Sequence, residues 1–152
     1  MEPTRTAVEE RRLGRSVLAV IAGMLAGAFL SLGTDELLHV LKVYPPWNEP
    51  MRDAGLNALA LGYRIVYDTL GSYLTARLAP RRPMRHALIG GAIGLVPTIG
   101  GVIAATQVDL GPIWYPIALA VSVMPTAWLG GILHGVSARQ DTRVKKEVQV
   151  RP

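Results

Sequence analysis

The chain has 152 residues, half of them hydrophobic, with a net charge of +5 and no cysteine. That length suits one ordinary domain, and the missing cysteine excludes disulfides, thiolate catalysis, iron–sulfur clusters and thiolate zinc sites. The basic residues stand beside apolar runs instead of along one polar face with interleaved aromatics, so no nucleic acid is expected as a partner.

A basic segment, 1–15, precedes a first apolar run over 16–43. At about 1.5 Å per residue this run outreaches a hydrocarbon core of about 30 Å, so it must tilt or protrude. A cleaved signal peptide ending near Ala26-Gly27-Ala28 is the competing reading. Against it, the apolar pattern continues through Phe29, Leu30 and Leu32, as in a retained anchor. Tyr44-Pro45-Pro46-Trp47 should stop the helix, since paired prolines cannot continue it and Tyr and Trp favour the membrane interface.

A polar loop with Asn48, Glu49, Arg52 and Asp53 leads to a second span over 56–78, closed by Ala79-Pro80-Arg81-Arg82-Pro83. A third span covers 85–107. Asp109-Leu110-Gly111-Pro112 reads as a tight turn into a fourth, 112–137, and a basic tail, 138–152, follows. The fold expected is all-α: an antiparallel four-helix transmembrane bundle with sequential packing across short loops.

Charge sorts the loops. Thirteen Lys and Arg lie in the N-terminal segment, the second loop and the C-terminal tail, whereas the first loop and its approach hold only Lys42 and Arg52. The excess of positive charge marks the cytoplasmic side, which puts both termini there and the protein in the cell (plasma or inner) membrane. The tail reads as solvated, either a topology signal alone or also a contact for anionic lipid.

Lipid gives helices no hydrophobic drive to associate, so small residues should mark the contacts. Ala19, Gly23, Gly27 and Ser31 recur every four residues in the first span. Ala87, Gly91, Gly94, Thr98, Gly101 and Ala105 make a seam along the third, and Gly131 and Gly135 repeat the spacing in the fourth. Pro97 and Pro125 fall mid-span, where each removes a backbone donor.

The ionisable residues inside the spans need a physical account. Asp35 lies eight residues inward from the end of the first span and Arg64 eight residues into the second, so antiparallel neighbours bring them to one depth. Asp68 is four residues beyond Arg64, on the same helix face, so the guanidinium is expected to meet both carboxylates. His39 and Glu36 lie nearer the surface, and Tyr63 and Tyr67 can add hydroxyls. The cluster of Asp35, Arg64, Asp68 and His39 has two uses open to it: a hydrogen-bonded clamp on the first hairpin, or a polar cavity for an ion or proton.

Other motifs carry less. Glu36 and His39 have the Glu-x-x-His spacing of di-iron bundles, but a second pair and further in-span glutamates are missing, so no metal or other cofactor is expected. His86 and His134 read as interfacial or packed histidines. Trp47, Trp114 and Tyr115 read as an aromatic belt with Tyr44 beside it, and Trp128 as packed on a glycine. No zinc-protease, nucleophile-elbow or phosphate-loop motif is present, which points away from an enzyme.

Gly33-Thr34-Asp35-Glu36-Leu37-Leu38-His39, Tyr44-Pro45-Pro46-Trp47, Tyr63-Arg64 and Tyr73-Leu74-Thr75-Ala76-Arg77-Leu78-Ala79-Pro80 together resemble small uncharacterised four-span bacterial membrane proteins. Having no assigned activity, that group implies a membrane and a fold but no reaction. The expected function is that of a multi-pass, non-enzymatic accessory or structural component, with a small oligomeric transporter or proton-coupled carrier as the alternative. Its expected partners are the lipid bilayer and either other membrane-protein subunits or a second copy of itself.

Overall fold

The computed structural model describes residues 5–109 and 111–150, with side chains at 13–109, 111–143 and 145. Leu110 of the expected turn, and the side chains of Arg5, Arg11, Arg12, Lys146 and Arg151, which entered the charge count, lie outside the described residues. The chain is an all-helical bundle of α1 (Arg5–Val40), α2 (Ala54–Leu78), α3 (Pro83–Gln107) and α4 (Trp114–Val150).

The helix ends have local causes. α1 stops at Val40, short of the expected residue 43, because Lys42 turns left-handed at φ 56° before the prolines are reached. Lys42 N–H then donates to His39 O at 3.0 Å and Val43 N–H to Leu38 O at 2.9 Å, the double bond pattern of a Schellman cap. Asp53 caps α2, accepting from Leu56 N–H at 2.8 Å. Pro83 opens α3, where its missing donor costs nothing. α4 continues as helix to Val150, through the segment read as a tail, since no Gly or Pro follows Gly135 before that point.

Contacts define a rhombus. α2 packs on α1, α3 and α4, and α3 packs on α1 and α4, while among the described residues α1 and α4 do not meet. α1 runs antiparallel to α2, with Gly27 beside Tyr67 and Gly23 beside Gly71 and Thr75. α3 runs antiparallel to α4, with Gly91 on Ala127 and Met84 on Gly131. The broad α2–α4 face is a parallel one, from Arg64 on Tyr115 to Ser72 on Gly130, and short loops alone would not suggest it.

The molecule is inside-out by the standard of a soluble protein. Its most buried hydrophobic positions are chiefly alanines, Ala19, Ala60, Ala76, Ala87 and Ala127, while Phe29, Val96 and Val121 are about seven-tenths exposed. A water-facing surface with so much contiguous apolar area would aggregate; a lipid-facing one requires it. Leu13–Val40, Pro83–Gln107 and Trp114–Arg143 are each long and apolar enough to cross a membrane, so the chain is a membrane protein. α2 is absent from that set because Asn57, Arg64, Asp68 and its tyrosines dilute its apolar character.

Candidate functional site: a polar knot at the Trp47 end and a lone carboxylate below it

Asp35, on the last turns of α1, is buried, and Arg64 of α2 reaches it: Arg64 Nη2 donates to Asp35 Oδ2 at 2.5 Å. The depth match read from the sequence therefore holds in three dimensions. Three tyrosines surround the pair. Tyr63 O–H donates to Asp35 Oδ1, Arg64 Nη1 donates to Tyr115 Oη at 2.7 Å and Tyr63 Oη at 3.3 Å, and Tyr44 O–H reaches Tyr63 Oη at 3.3 Å. The pair thus draws its partners from α1, α2 and α4, and Tyr44 of the first loop bonds the Tyr63 hydroxyl behind it. The Arg64 guanidinium also lies 5.4 Å from the Tyr63 ring centre and 5.9 Å from that of Tyr115, close enough for cation–π attraction. Burial pushes the Tyr44 phenol above its ordinary range, so near neutral pH it keeps the proton its bond requires.

Around this knot the two loops clasp each other. Arg52 of the first loop pairs with Asp109 of the third, between α3 and α4, both exposed, and Gly111 sits against the Met51 carbonyl with φ 127°, a conformation that favours glycine. Asn57, buried on the first turn of α2, donates to Met51 O and Asp53 O at 2.8 Å each and fixes the loop's descent. Asp35, Arg64, Tyr115 and Trp47 line a recess of about 380 Å³ that opens at this end.

His39 is near the knot without joining its charges. Its Nδ1 meets the main-chain oxygen of Asp35 at 2.8 Å, and its ring stacks on Trp47 with centres 3.7 Å apart. Glu36 is exposed. Tyr67 bonds Thr34 at 3.1 Å, a second α1–α2 hydroxyl contact.

Asp68 departs from the expectation. The guanidinium it was to share is committed to Asp35 and Tyr115, and among the described residues Asp68 makes no hydrogen bond or ion pair. Its Oδ1 lies against Gly27 of α1, and the side chain lines a separate cavity deeper in the bundle. The four residues read as one cluster are thus a bonded pair, a neighbouring imidazole and a lone carboxylate.

The packing glycines also divide. Gly23 and Gly27 meet α2, and Gly91 and Gly94 meet α4, whereas Gly101 and Gly135 face open space where a side chain would stand. The seam of α3 therefore packs only over its first half. Gly130, not singled out in the sequence, is the tightest α2–α4 contact, with Thr69 O, Ser72 and Tyr73 each where a Cβ would stand. Trp128 is half-exposed on α4, while His134 packs edge-on to Tyr73. Sequence reasoning missed Tyr115 and Tyr44 as partners of the knot, since interfacial aromatics give no sign of which way their hydroxyls turn.

Comparisons with family models, curated proteins and solved structures return no match to the chain.

Proposed function

We propose that the chain is a four-span membrane protein with both termini cytoplasmic, acting as a non-enzymatic accessory or structural component whose Asp35–Arg64 knot locks the bundle. α2 is the fourth span: it matches the others in reach, and its charged and polar groups are turned toward helices and loops that screen them from lipid. The observation that carries the clamp is the direct bonding of the pair across helices. Each Asp35 oxygen has a donor and both Arg64 terminal nitrogens have acceptors, drawn from α1, α2 and α4. Bonds that tie three helices to one ion pair hold the bundle in register, as a clamp does.

A second reading, a small oligomeric carrier, is favoured by one feature, the recess open above Asp35 and Arg64. Asp35→Asn and Arg64→Met separate the two. A clamp lowers the detergent melting temperature in both variants, and in the double variant by less than the sum. Altered solute flux in liposomes at unchanged melting temperature would establish the carrier instead. Cysteine-accessibility reporters in loops 44–53 and 79–82 test the four-span orientation independently: the first should label from outside, the second only from within.

A further inference from the structure

We infer that the central cavity at Asp68 is a binding site for a single monovalent cation. The cavity measures about 240 Å³ and is walled by all four helices, with Gly27, Asp68, Gly94, Thr98 and Thr126 among its lining residues. It is distinct from the recess at the Trp47 end and shares no residue with it.

Charge sets the sign of the ligand. Asp35, Arg64 and Asp68 sum to one net negative charge, and Asp68 is the member that feels Arg64 only through space, without a direct bond among the described residues. An ionised carboxylate removed from water without a donor is expensive, and the cost falls when a cation or a proton joins it. Charge also sets the valence. One carboxylate balances one positive charge, whereas a divalent ion would leave a net charge in a low-dielectric site.

The hydroxyls are prepared for a cation. Thr98 Oγ1 donates to Leu95 O at 2.9 Å and Thr126 Oγ1 to Val123 O at 2.9 Å. Both residues line the cavity, and with their protons committed to their own helices their oxygens keep lone pairs that can accept a cation; hard oxygen donors suit alkali ions. Glycines supply the room. Gly94 has only Val123 within reach of an added Cβ, at 3.9 Å, so the space beside it is open to an ion carrying part of its water shell.

The proton is the natural competitor, since it binds the same oxygens. This inference uses the bundle geometry and does not depend on the accessory role proposed above. Equilibrium binding of radiolabelled Na⁺ to purified full-length protein in detergent tests it, with K⁺, Ca²⁺ and pH as competitors. Saturable binding of one Na⁺ per chain is expected, displaced by K⁺, indifferent to equimolar Ca²⁺ and weaker as pH falls. Asp68→Asn, nearly isosteric, should reduce affinity by at least about tenfold, the loss of a charge-assisted contact. Gly94→Val keeps the charge and fills the space, so it should weaken binding too, which guards against a folding defect specific to Asp68→Asn. Arg52→Ala, in the exposed loop clasp, should leave binding unchanged. Absence of saturable Na⁺ and K⁺ binding in folded wild type, binding that survives Asp68→Asn, or preference for Ca²⁺ would each overturn the site. None of these outcomes bears on the cysteine labelling, so the two proposals fail separately.

Discussion

The Trp47 end of the bundle and the half that runs toward Arg82 are held by opposite means. At the Trp47 end, charged and phenolic groups bind each other across three helices and a loop. Towards Arg82, helices approach because side chains are absent: Gly23 on Gly71, Gly91 on Ala127, Gly130 on the α2 backbone. Polar bonding fixes partner and register by direction, whereas glycine packing fixes only distance and leaves gaps where shapes do not fit. The cavity at Asp68 is such a gap, lined by Gly23, Gly71 and Gly91 from these same contacts. The difference teaches where to look for function in a small bundle: a group held by direct bonds serves the fold, and one without them beside a void is available.

The sharpest way to break this comparison is to remove one member of the pair. Arg64→Met leaves Asp35 buried without its cation, and breaking a buried ion pair from one side costs about 3–5 kcal/mol. Unfolding in detergent should show that loss, with Asp68→Asn changing stability far less because no bond is removed. Equal effects of the two would mean that Asp68 belongs to the knot after all.

Tyr115→Phe is next. It deletes the hydroxyl that ties α4 to Arg64 and leaves the ring, so about 1.5–3 kcal/mol should disappear, the range for a hydrogen bond to a charged group. Hydrogen exchange should rise first at the start of α4, whereas a defect spread evenly over the chain would deny the knot its role in holding that helix. On the glycine side, Gly23→Ala puts a methyl into Thr75 and the Gly71 carbonyl and should cost about 1–3 kcal/mol, as overpacking does. Gly135→Ala meets nothing and should stabilise slightly, by about 0.5–1 kcal/mol, because it removes a mid-helix glycine. If both substitutions behaved alike, the close α1–α2 approach would not be what holds that half together.

What could be read from the sequence follows the same division. Four helices, and the meeting of Asp35 with Arg64, came from counting along apolar runs, because helical rise converts sequence distance into depth. Depth does not give rotation about the helix axis. Asp68 satisfied the i, i+4 rule with Arg64, yet the guanidinium turned toward α1 and α4, where a carboxylate and a phenol offered better geometry than its own helix. Tyr115 could not be assigned in advance, since the parallel α2–α4 contact follows from the rhombus and not from any loop. Gly101 obeyed the seam spacing without a neighbour, because a periodic pattern cannot tell where two helices diverge. The end of α1 was misplaced by three residues because a lysine occupies the left-handed cap that glycine usually marks.

The smallest effect belongs to the loops. Arg52 and Asp109 join the two connections at the Trp47 end but are each more than half exposed. Water and salt screen such a pair, so Arg52→Ala should cost under about 1 kcal/mol, and less as ionic strength rises. The same substitution tests whether the clasp supports the knot beneath it. If the loops merely cover the recess, Arg52→Ala and Tyr115→Phe will add in a double variant. A coupling that persists at high salt would mean that the loop clasp positions Tyr115, and the polar end would then extend from the loops down to Asp35 as one unit.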